Sequence, residues 1–368
     1  MNMMVKRLYY PYAEKMFLHS LNVQINYSDS TSYNKVLKME KEQDYWKAET
    51  VAFLALQSLH GVGFKILYKI AAQNISFRDI IKTDDVDYFE KMLRLRLDAS
   101  VKESYTSWMQ FKLELWEKGL ELAREYVKRN IIILFYGQDA FPKQLNDISE
   151  PPLWLFVEGN YRLLKQRSVA IVGSRRASDD GLWLTKYIVA AMANLDLASV
   201  SGLADGIDQK AHVESIKYNI PTIAVLGTGI NSNYPNGSEN LRALIVANGG
   251  AVITEYLINQ SYSAHNFVRR NRIQASLAQI TVPVEWKIKS GTAHTVNFTK
   301  EYGRYLMMPY LYRSDLGNDE VKLIKAYQSG VIFSIPEQTQ QFIDFLKTPD
   351  KYKSPITLDK KNQLSMDL

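Results

Sequence analysis

Cysteine is absent from this sequence of 368 residues, which excludes a disulfide framework, a thiolate nucleophile and thiolate ligands for a metal ion. Long apolar runs are missing too, since none approaches the roughly 18 residues that a membrane-spanning helix needs. The start of the chain, Met1 to Tyr12, has neither an apolar block nor a small-residue cleavage site and is not typical of a secretion signal. We therefore expect a cytoplasmic protein that does not enter a membrane.

The motifs of several common enzyme classes are also missing. Gly173-Ser174-Arg175 does not satisfy the glycine pattern of dinucleotide-binding proteins, and neither a Walker-type phosphate loop nor a nucleophile elbow occurs. No two of the five histidines have the four-residue separation of a helical metal-binding pair. We expect no cofactor, no metal ion and no catalytic constellation. Each histidine is interpreted as structural or surface: His19, His60, His212, His265 and His294.

Basic residues outnumber acidic ones, 45 Lys and Arg against 39 Asp and Glu, which gives a formal net charge of +6. Such a balance favours polyanions, but the placement of the charges says more than their sum. Two clusters fall near predicted strand ends or helix starts, where phosphate contacts are commonly built. The first surrounds a glycine loop and the second follows Phe267: Arg162, Lys165, Arg167, Arg175 and Arg176, then Arg269, Arg270 and Arg272.

Changes of pattern divide the chain into four segments. Residues 1–40 mix Tyr, Asn, Ser and Lys without periodicity and are interpreted as an extension. Apolar residues at helical spacing predict a small helical domain over 41–130. Short strands and helices predict a second domain over 131–346, which includes a connector at its start. The lysine-rich segment 347–368 is predicted to be a disordered polar tail.

Within the helical segment, Leu59-His60-Gly61-Val62-Gly63 separates two runs with helical periodicity. The pattern looks like a helix-hairpin-helix, in which glycines let backbone N–H groups approach a DNA phosphate, and Lys65 and Lys69 add positive charge nearby. A plain turn between two helices with glycine C-caps fits equally well. The residues leave both interpretations open.

Strand-like runs alternate with helical stretches in the second domain. The predicted strands are 131–135, 153–157, 168–172, 197–200, 222–226, 251–254, 280–284, 305–308 and 331–335. Such alternation implies a parallel sheet with helices on both faces and right-handed crossovers. The predicted fold class is α/β, a Rossmann-like, doubly wound, mostly parallel sheet with a small N-terminal helical domain of helix-hairpin-helix or SAM-like type.

Small and hydroxyl residues follow several of these strands, in the segments 173–178, 201–208 and 227–229, and Ser290–Thr292 opens a later helix. Ligands of an open α/β sheet bind at the carboxyl ends of its strands. Glycine, serine and threonine let backbone N–H and hydroxyl groups bond phosphate oxygens there. Any one loop alone is also typical of a tight turn with an N-cap. Their repetition along one edge favours an anion-binding crevice.

The segment Phe267–Ile273 carries three arginines within four positions at a predicted helix start. Arginines so spaced suit a line of phosphates, and Phe267 suits stacking on a base. The alternative is a solvated basic face, which most charge runs are. The flanking apolar residues and Asn271 favour the binding interpretation.

Taken together, these segments resemble the DNA-processing protein A (DprA/Smf) family. The matching segments occur in family order: Phe141-Pro142, Pro151-Pro152, Val169–Arg175, Ser201–His212, Thr222–Gly229, Tyr234-Pro235, Glu255-Tyr256, Phe267–Ile273, Ser290–Thr292 and Gly303-Arg304. An ordered set is far more specific than any single loop. The chain is identified as a divergent member of that family.

The resemblance implies a dimeric protein that binds single-stranded DNA without sequence preference, protects it and helps to load a RecA-type recombinase during natural transformation. It implies that Arg175 grips a phosphate, and that the arginines of 269–272 line the crevice or brace its loops. The family has no settled catalytic activity, so no enzyme is predicted. The predicted DNA- or phosphate-binding residues are Gly173, Ser174, Arg175, Arg176, Ser201, Gly202, Lys210, Gly227, Gly229, Phe267, Arg269, Arg270, Asn271, Arg272, Ser290, Gly291 and Thr292.

Several positions depart from the family pattern, among them Pro309-Tyr310, which lacks the usual Pro-Gly. Asp205 stands where the family usually has Lys or Arg, which puts an anion at the rim of the predicted crevice. Exposed phosphate contacts depend on such charges. Leu257 and Val268 replace prolines, and Asn231 replaces an aspartate.

Two other functions remain open at this point. Related phosphoribohydrolases use a similar sheet with a catalytic glutamate after a Gly-x-Gly-Thr turn. Here Thr295 stands in the place of that glutamate, and Glu255 and Glu285 are the remaining candidate carboxylates of a nucleotide-processing enzyme or nucleotide sensor. The second alternative is an accessory protein of a defence system that kept the fold and lost the activity.

Overall fold

The computed structural model describes residues 30–312 and 314–352. The chain divides into two compact units, residues 1–48 and 49–368, and the division falls inside the first described helix, α1 (Ser30–Ser58). Most of the predicted extension and most of the predicted polar tail lie outside the described residues. The predicted segment boundaries stay predictions, and α1 runs across the one at residue 40. None of the helices in the described ranges has the length and apolar character needed to span a bilayer.

Further helices follow α1 before the first strand, as the periodicity predicts. They are α2 (Phe64–Ala72), α3 (Phe77–Lys82), α4 (Val86–Leu93), α5 (Ala99–Lys102) and α6 (Tyr105–Lys128). In the turn between α1 and α2, Gly61 has a φ of +87°, a conformation that favours glycine. Gly63 is the N-cap of α2 with an ordinary φ of −106° and open space around it. The turn geometry therefore requires glycine at Gly61 alone.

A buried carboxylate holds the start of α3. The Glu49 side chain is 4% exposed and accepts hydrogen bonds from Ser76 Oγ at 2.7 Å, Phe77 N at 2.8 Å and Arg78 N at 3.1 Å. Burial raises the pKa of Glu49, and the three donors partly offset that effect. Ser76, the N-cap residue, makes no side-chain cap of its own, so Glu49 satisfies the free N–H groups of this helix end.

One sheet contains the strands of the described chain. They are β1 (Ile131–Phe135), β2 (Trp154–Gly159), β3 (Ser168–Gly173), β4 (Ala198–Ser201), β5 (Thr222–Val225), β6 (Ala251–Thr254), β7 (Ile280–Val284), β8 (Tyr305–Leu311) and β9 (Gly330–Ile335). Their order is β1-β2-β6-β5-β4-β3-β7-β8-β9. The pairs β1–β2 and β2–β6 are antiparallel, and the other neighbouring pairs are parallel. The connector therefore forms an antiparallel edge of a mostly parallel sheet.

Helices cover both faces of the sheet. They are α7 (Asp179–Met192), α8 (Ile207–Lys217), α9 (Glu239–Ala247), α10 (Ala264–Leu277), α11 (Gly291–Glu301), α12 (Asp319–Ala326) and α13 (Thr339–Lys347). Successive side chains of a strand point to opposite faces. Accordingly, Ala170 packs in the core that contains Ile273 of α10, whereas Val169 and Ile171 pack in the core that contains Ile188 of α7. The predicted doubly wound α/β class is confirmed.

One predicted strand is longer than expected. The sequence predicts an end at Met308, before Pro309, but β8 runs to Leu311 in register with β9, and Pro309 pairs with Phe333. The pairing of β8 with β7 involves only Tyr305 and Leu306. Pro309 therefore lies beyond the β7–β8 ladder, at an edge position where a missing N–H donor is tolerated.

Candidate nucleic-acid interface

The strand order reverses between β3 and β7, because the chain fills one half of the sheet outward from β3 and the other half outward from β7. In open α/β sheets, such a switch point leaves a crevice at the carboxyl ends of the two strands. The loop that begins at Ser174 leaves β3 at this point, and the segment that leads to α11 leaves β7 beside it. The crevice predicted from the glycine loops has its geometric basis here.

Hydrogen bonds join the loops around this crevice. Thr292 Oγ1 at the start of α11 donates to the Gly173 carbonyl at 3.1 Å. Asn271 Nδ2 donates to the Gly291 carbonyl at 3.1 Å. On the other side, Ile207 N at the start of α8 donates to the Ser174 carbonyl at 3.1 Å. The segments after β3, β4 and β7 are thereby held against one another and against α10.

Arg270 of α10 lies beneath these loops. Its side chain is buried, with 4% exposed, and Nη1 donates to the Gly202 carbonyl at 2.7 Å and to the Val225 carbonyl. Its Nε donates to Asn271 Oδ1 at 3.1 Å. A Cβ at position 202 would collide with the Arg270 guanidinium, so a larger residue there would have to displace this hydrogen-bonded side chain. Arg270 thus connects the ends of β4 and β5 from inside the protein.

Buried ionisable groups surround Arg270. Burial raises the pKa of Asp208, which accepts a hydrogen bond from Gly202 N at 3.2 Å, and the charge of Arg270 acts in the opposite direction. Burial lowers the pKa of Arg270 to about 10, which leaves it protonated at neutral pH. Burial and the charge of Arg270 lower the pKa of His212 to about 3, so this imidazole is neutral. The loops therefore rest on a buried layer of ionisable side chains.

The exposed face of the crevice presents a cation stacked on a ring. The Phe267 ring lies directly over Gly227, where any Cβ would collide with it. Arg175 Cζ lies 5.7 Å from the centroid of the Phe267 ring. The Arg175 side chain is exposed, while Phe267 is half-buried. The structure thus brings together the glycine loop after β3, the glycine after β5 and α10, as the sequence predicts.

Two further rings continue from Phe267. The Tyr234 centroid lies 4.8 Å from that of Phe267 and 4.8 Å from that of Tyr262. Tyr262 is 58% exposed. Sequence reasoning placed Tyr234 in a family motif without assigning it to the site, and it missed Tyr262 altogether. The sequence offered one signal for Tyr262, which is an aromatic residue in the polar segment between β6 and α10.

The three arginines of α10 do not face one way. Residues of a helix are rotated by about 100° per position, so Arg269 and Arg272 lie on one side, where both approach Glu255, and Arg270 points away from them. Arg269 Cζ lies 5.6 Å from the Phe64 ring and 5.0 Å from the Tyr68 ring, both on α2. Arg269 therefore connects α10 to α2 and does not lie in the crevice.

Arg272 is also committed to the protein. It is 2% exposed, and its Nη1 and Nη2 each donate to a Glu255 oxygen at 2.7 Å in a bidentate ion pair. Its Nε donates to the Glu150 carbonyl at 2.7 Å. Arg270 and Arg272 were expected either to line the crevice or to brace its loops. Because both side chains are buried, bracing is favoured over direct contact with phosphates.

The other predicted residues divide into two groups. Ser174 and Arg176 stay at the crevice, where Ser174 Oγ accepts a hydrogen bond from Arg176 N at 3.1 Å. Ser201 Oγ, in contrast, is buried and donates to the Ile171 carbonyl at 2.6 Å. Lys210 forms an ion pair with Glu214 on its own helix at 2.8 Å. These last two side chains are thus occupied within the protein.

The remaining two predicted positions also have partners within the protein. Gly229 N donates to the Gln260 carbonyl at 2.8 Å, and a Cβ at position 229 would collide with the Leu257 and Ile258 carbonyls. Ser290 is the N-cap residue of α11, and its Oγ donates to the Lys287 carbonyl at 2.6 Å.

Three basic residues assigned to the first glycine loop lie elsewhere. Arg162, Lys165 and Arg167 precede β3, so the whole strand, roughly 20 Å at about 3.3 Å per residue, separates them from the glycine loop after it. Arg167 donates to the Leu346 and Lys347 carbonyls, each at 3.1 Å. The expected single cluster is therefore wrong: these residues are at the amino end of β3, and Arg175 and Arg176 are at its carboxyl end.

The carboxylates considered for a nucleotide-processing enzyme have structural partners. Glu255 is paired with Arg272, and Glu285 accepts hydrogen bonds from Ser178 N at 2.9 Å and Ser178 Oγ at 3.1 Å. Thr295, in the place of the family's glutamate, is 2% exposed. Within residues 30–312 and 314–352, no group of three potential ligands is placed to hold a metal ion.

Comparison with known proteins places these features in context. The chain is 37% identical over 166 residues to the DNA processing protein DprA of Streptococcus pneumoniae, across 45% of this chain and 58% of that protein. It is 32% identical over 211 residues to protein Smf of Escherichia coli, across 56% of this chain and 55% of that protein. The chain therefore spans little more than half the length of these curated relatives.

A solved structure shares the fold. DNA processing protein A from Helicobacter pylori, whose structure concerns its single-stranded DNA binding mode, superposes with a TM-score of 0.51 at 22% identity, across 60% of this chain and 97% of that chain. The sequence model of DNA recombination-mediator protein A matches residues 132–342, from β1 into α13 and so more than half of the chain. That region contains every loop of the crevice, and the chain belongs to the DNA recombination-mediator protein A family.

Proposed function

We propose that this chain binds single-stranded DNA in the crevice between β3 and β7 and acts as a recombination mediator in the cytoplasm. The observation that carries the proposal is the exposed Arg175 guanidinium stacked on the Phe267 ring above the glycine loops. A guanidinium gives a phosphate two parallel hydrogen bonds, and an adjacent ring gives a base a stacking surface. The proposal assigns no catalytic step.

The buried layer beneath this face supports the proposal. Arg270, Asp208 and Asn271 fix the loops through bonds to the backbone, so that little freedom remains to be lost when a strand binds. The relative from Helicobacter pylori, with the same fold, is described by its single-stranded DNA binding mode. Binding through phosphates and stacking is independent of sequence, as a mediator of general recombination requires.

The test is a salt titration of binding to a fluorescent oligo(dT). We expect Arg175→Ala to weaken binding about tenfold or more, because hydrogen bonds between charged groups are among the strong ones. The slope of log affinity against log salt should become shallower by about 0.7, the value for one phosphate contact on a single strand. A wild-type protein that leaves oligo(dT) unbound at low salt contradicts the proposal.

Arg162→Ala is the matched control. Arg162 is also exposed and also lies over an aromatic ring, with Cζ 5.8 Å from the Tyr161 centroid, but it precedes β3 at the opposite end of the strand. The substitution removes the same charge and the same kind of stacking contact. We expect the affinity of Arg162→Ala to match that of the wild type.

We propose further that the protein is a homodimer and delivers the strand to a RecA-type recombinase. The family description, a recombination mediator, supports a recombinase as partner. Light scattering on the purified protein measures its oligomeric state. A strand-exchange assay with RecA on strands coated by a single-strand binding protein measures loading. A monomer in light scattering contradicts the proposed homodimer. A strand-exchange rate that this protein leaves unchanged contradicts the proposed delivery to a recombinase.

A further inference from the structure

We propose that Tyr262 and Tyr234 extend the binding face beyond Phe267, and that Tyr262 stacks on a base of the single strand next to the nucleotide held by Arg175. This inference rests on the proposed function and deepens it, because it gives the strand a direction from Arg175 over Phe267 towards Tyr262.

The geometry of the rings carries the inference. The Tyr234 centroid lies 4.8 Å from that of Phe267 and 4.8 Å from that of Tyr262, and the Phe267 and Tyr262 centroids are 6.4 Å apart with planes that differ by 25°, so the three rings form one cluster. Arg175 Cζ lies 5.7 Å from the centroid of Phe267. The ring cluster is therefore continuous with the proposed phosphate contact.

The outer ring is open to solvent. Tyr262 is 58% exposed, whereas Tyr234 and Phe267 are half-buried, so Tyr262 is the ring of the cluster that is most open to a base. An exposed tyrosine offers a large, stiff apolar surface that loses little entropy when it is covered. Its neighbours Ser261 and Ser263 are small and exposed, which leaves room for a base against the ring.

The loops that carry the tyrosines are anchored. Ser263 Oγ caps α10 by accepting from Asn266 N at 3.1 Å, and the Asn266 carbonyl accepts from the buried Tyr256 hydroxyl at 3.1 Å. On the Tyr234 loop, Ser238 Oγ donates to Asn233 Oδ1 at 2.8 Å. Tyr262 therefore precedes an anchored helix end, and the platform exists before the strand arrives.

The charge of the two loops suits a polyanion. Residues 231–238 contain no charged side chain, and residues 257–263 contain none either. A phosphate that passes along the tyrosines meets no carboxylate from these segments. Polar, uncharged residues around aromatic rings are what a sequence-tolerant stacking surface needs, since the phosphates can remain in solvent while the bases stack.

The experiment compares Tyr262→Ala with the wild type on two oligonucleotides, oligo(dT) and an abasic strand of equal length. We expect roughly five- to a hundredfold weaker binding of Tyr262→Ala to oligo(dT). We expect no difference on the abasic strand, which has phosphates but nothing to stack. The salt slope should equal that of the wild type, since Tyr262 contributes no phosphate contact, whereas Arg175→Ala changes that slope.

Tyr105→Ala is the matched control, because Tyr105 is also 58% exposed but lies at the start of α6 in the helical domain. We expect it to bind both strands as the wild type does. Tyr262→Leu and Tyr262→Trp keep an apolar side chain at the position. The leucine variant should lose as much affinity as the alanine variant, and the tryptophan variant should bind at least as tightly as the wild type.

The outcomes separate this inference from the proposed function. The stacking role is overturned if Tyr262→Ala and Tyr262→Leu bind oligo(dT) as tightly as Tyr105→Ala does. If Arg175→Ala still weakens binding in that case, the proposed crevice stands. Equal losses on the abasic strand and on oligo(dT) also overturn it, because they indicate that Tyr262 only supports the loop. Failure of the wild type to bind any strand overturns the proposed function itself.

Discussion

At the scale of single residues, Asp205 adds a negative charge to the loop that packs against Arg175. It is exposed on the loop after β4, where Gln209 Nε2 donates to its carboxylate at 3.2 Å. The next residue, Gly206, packs against the backbone of Ser174 and Arg175, and its φ of +76° favours glycine. The carboxylate therefore lies at the rim of the proposed phosphate contact, where its charge would oppose the binding of a strand.

We expect Asp205→Lys to bind oligo(dT) about two- to fivefold more tightly than the wild type at low salt, because one repulsive charge becomes attractive. Asp205→Asn should fall between the two, since it removes the repulsion and adds no cation. The measurement is the same salt titration, and the advantage of the lysine variant should shrink as salt screens exposed charges. Affinity unchanged in both variants would place Asp205 outside the path of the strand.

At the scale of elements, a buried polar network fastens α8 to β4 and β5. His212 Nδ1 lies 2.7 Å from Thr222 Oγ1, which accepts from Ser199 Oγ at 2.6 Å, and Ser199 lies 2.8 Å from Ser215 Oγ. All four residues are buried. His212 Nε2 has no hydrogen-bond partner within the described ranges, so protonation there would bury an uncompensated charge next to Arg270.

This network makes stability depend on pH. The pKa of His212 is about 3 in the folded protein because burial and Arg270 disfavour the charged form, against 6.5 for the free side chain. Its contribution is therefore fully present above the unfolded pKa and is lost as pH falls towards the folded pKa. Between about pH 7 and pH 5, we expect His212 to remove about 2 kcal/mol from the free energy of unfolding.

Urea denaturation at several pH values, for the wild type and His212→Gln, measures this contribution. Glutamine does not titrate, so the difference between the two proteins isolates one group from the carboxylates and from the other histidines. The free energy of unfolding of the variant should fall less steeply below neutral pH. Equal pH dependence in both proteins would contradict a neutral, buried His212.

At the scale of the whole molecule, the sheet and its crevice could be predicted from the sequence, whereas the roles of most side chains could not. Strands such as β1, β6 and β7 follow from short apolar runs between turns, and glycines at the end of β3 and after β4 and β5 mark places where other groups approach the backbone closely. Both signals are local. They do not need knowledge of any distant partner.

The arginines show where local reasoning ends. Arg269 and Arg272 acquire their roles from Phe64, Tyr68 and Glu255, which approach α10 from distant parts of the chain. Arg162 is close to the glycine loop in sequence, but β3 lies between them and separates the two by its whole length. Tyr262 stands alone in a polar loop, and no periodicity marks a single exposed ring.

The bidentate pair of Arg272 and Glu255 joins α10 to the segment after β6. Replacement of one partner by a neutral residue would leave the other as an unpaired charge in the interior. Evolution is thereby constrained at two positions at once. Among related chains, a neutral residue in place of one partner should accompany a neutral residue in place of the other, so that two apparently separate sequence signatures behave as a single inherited unit.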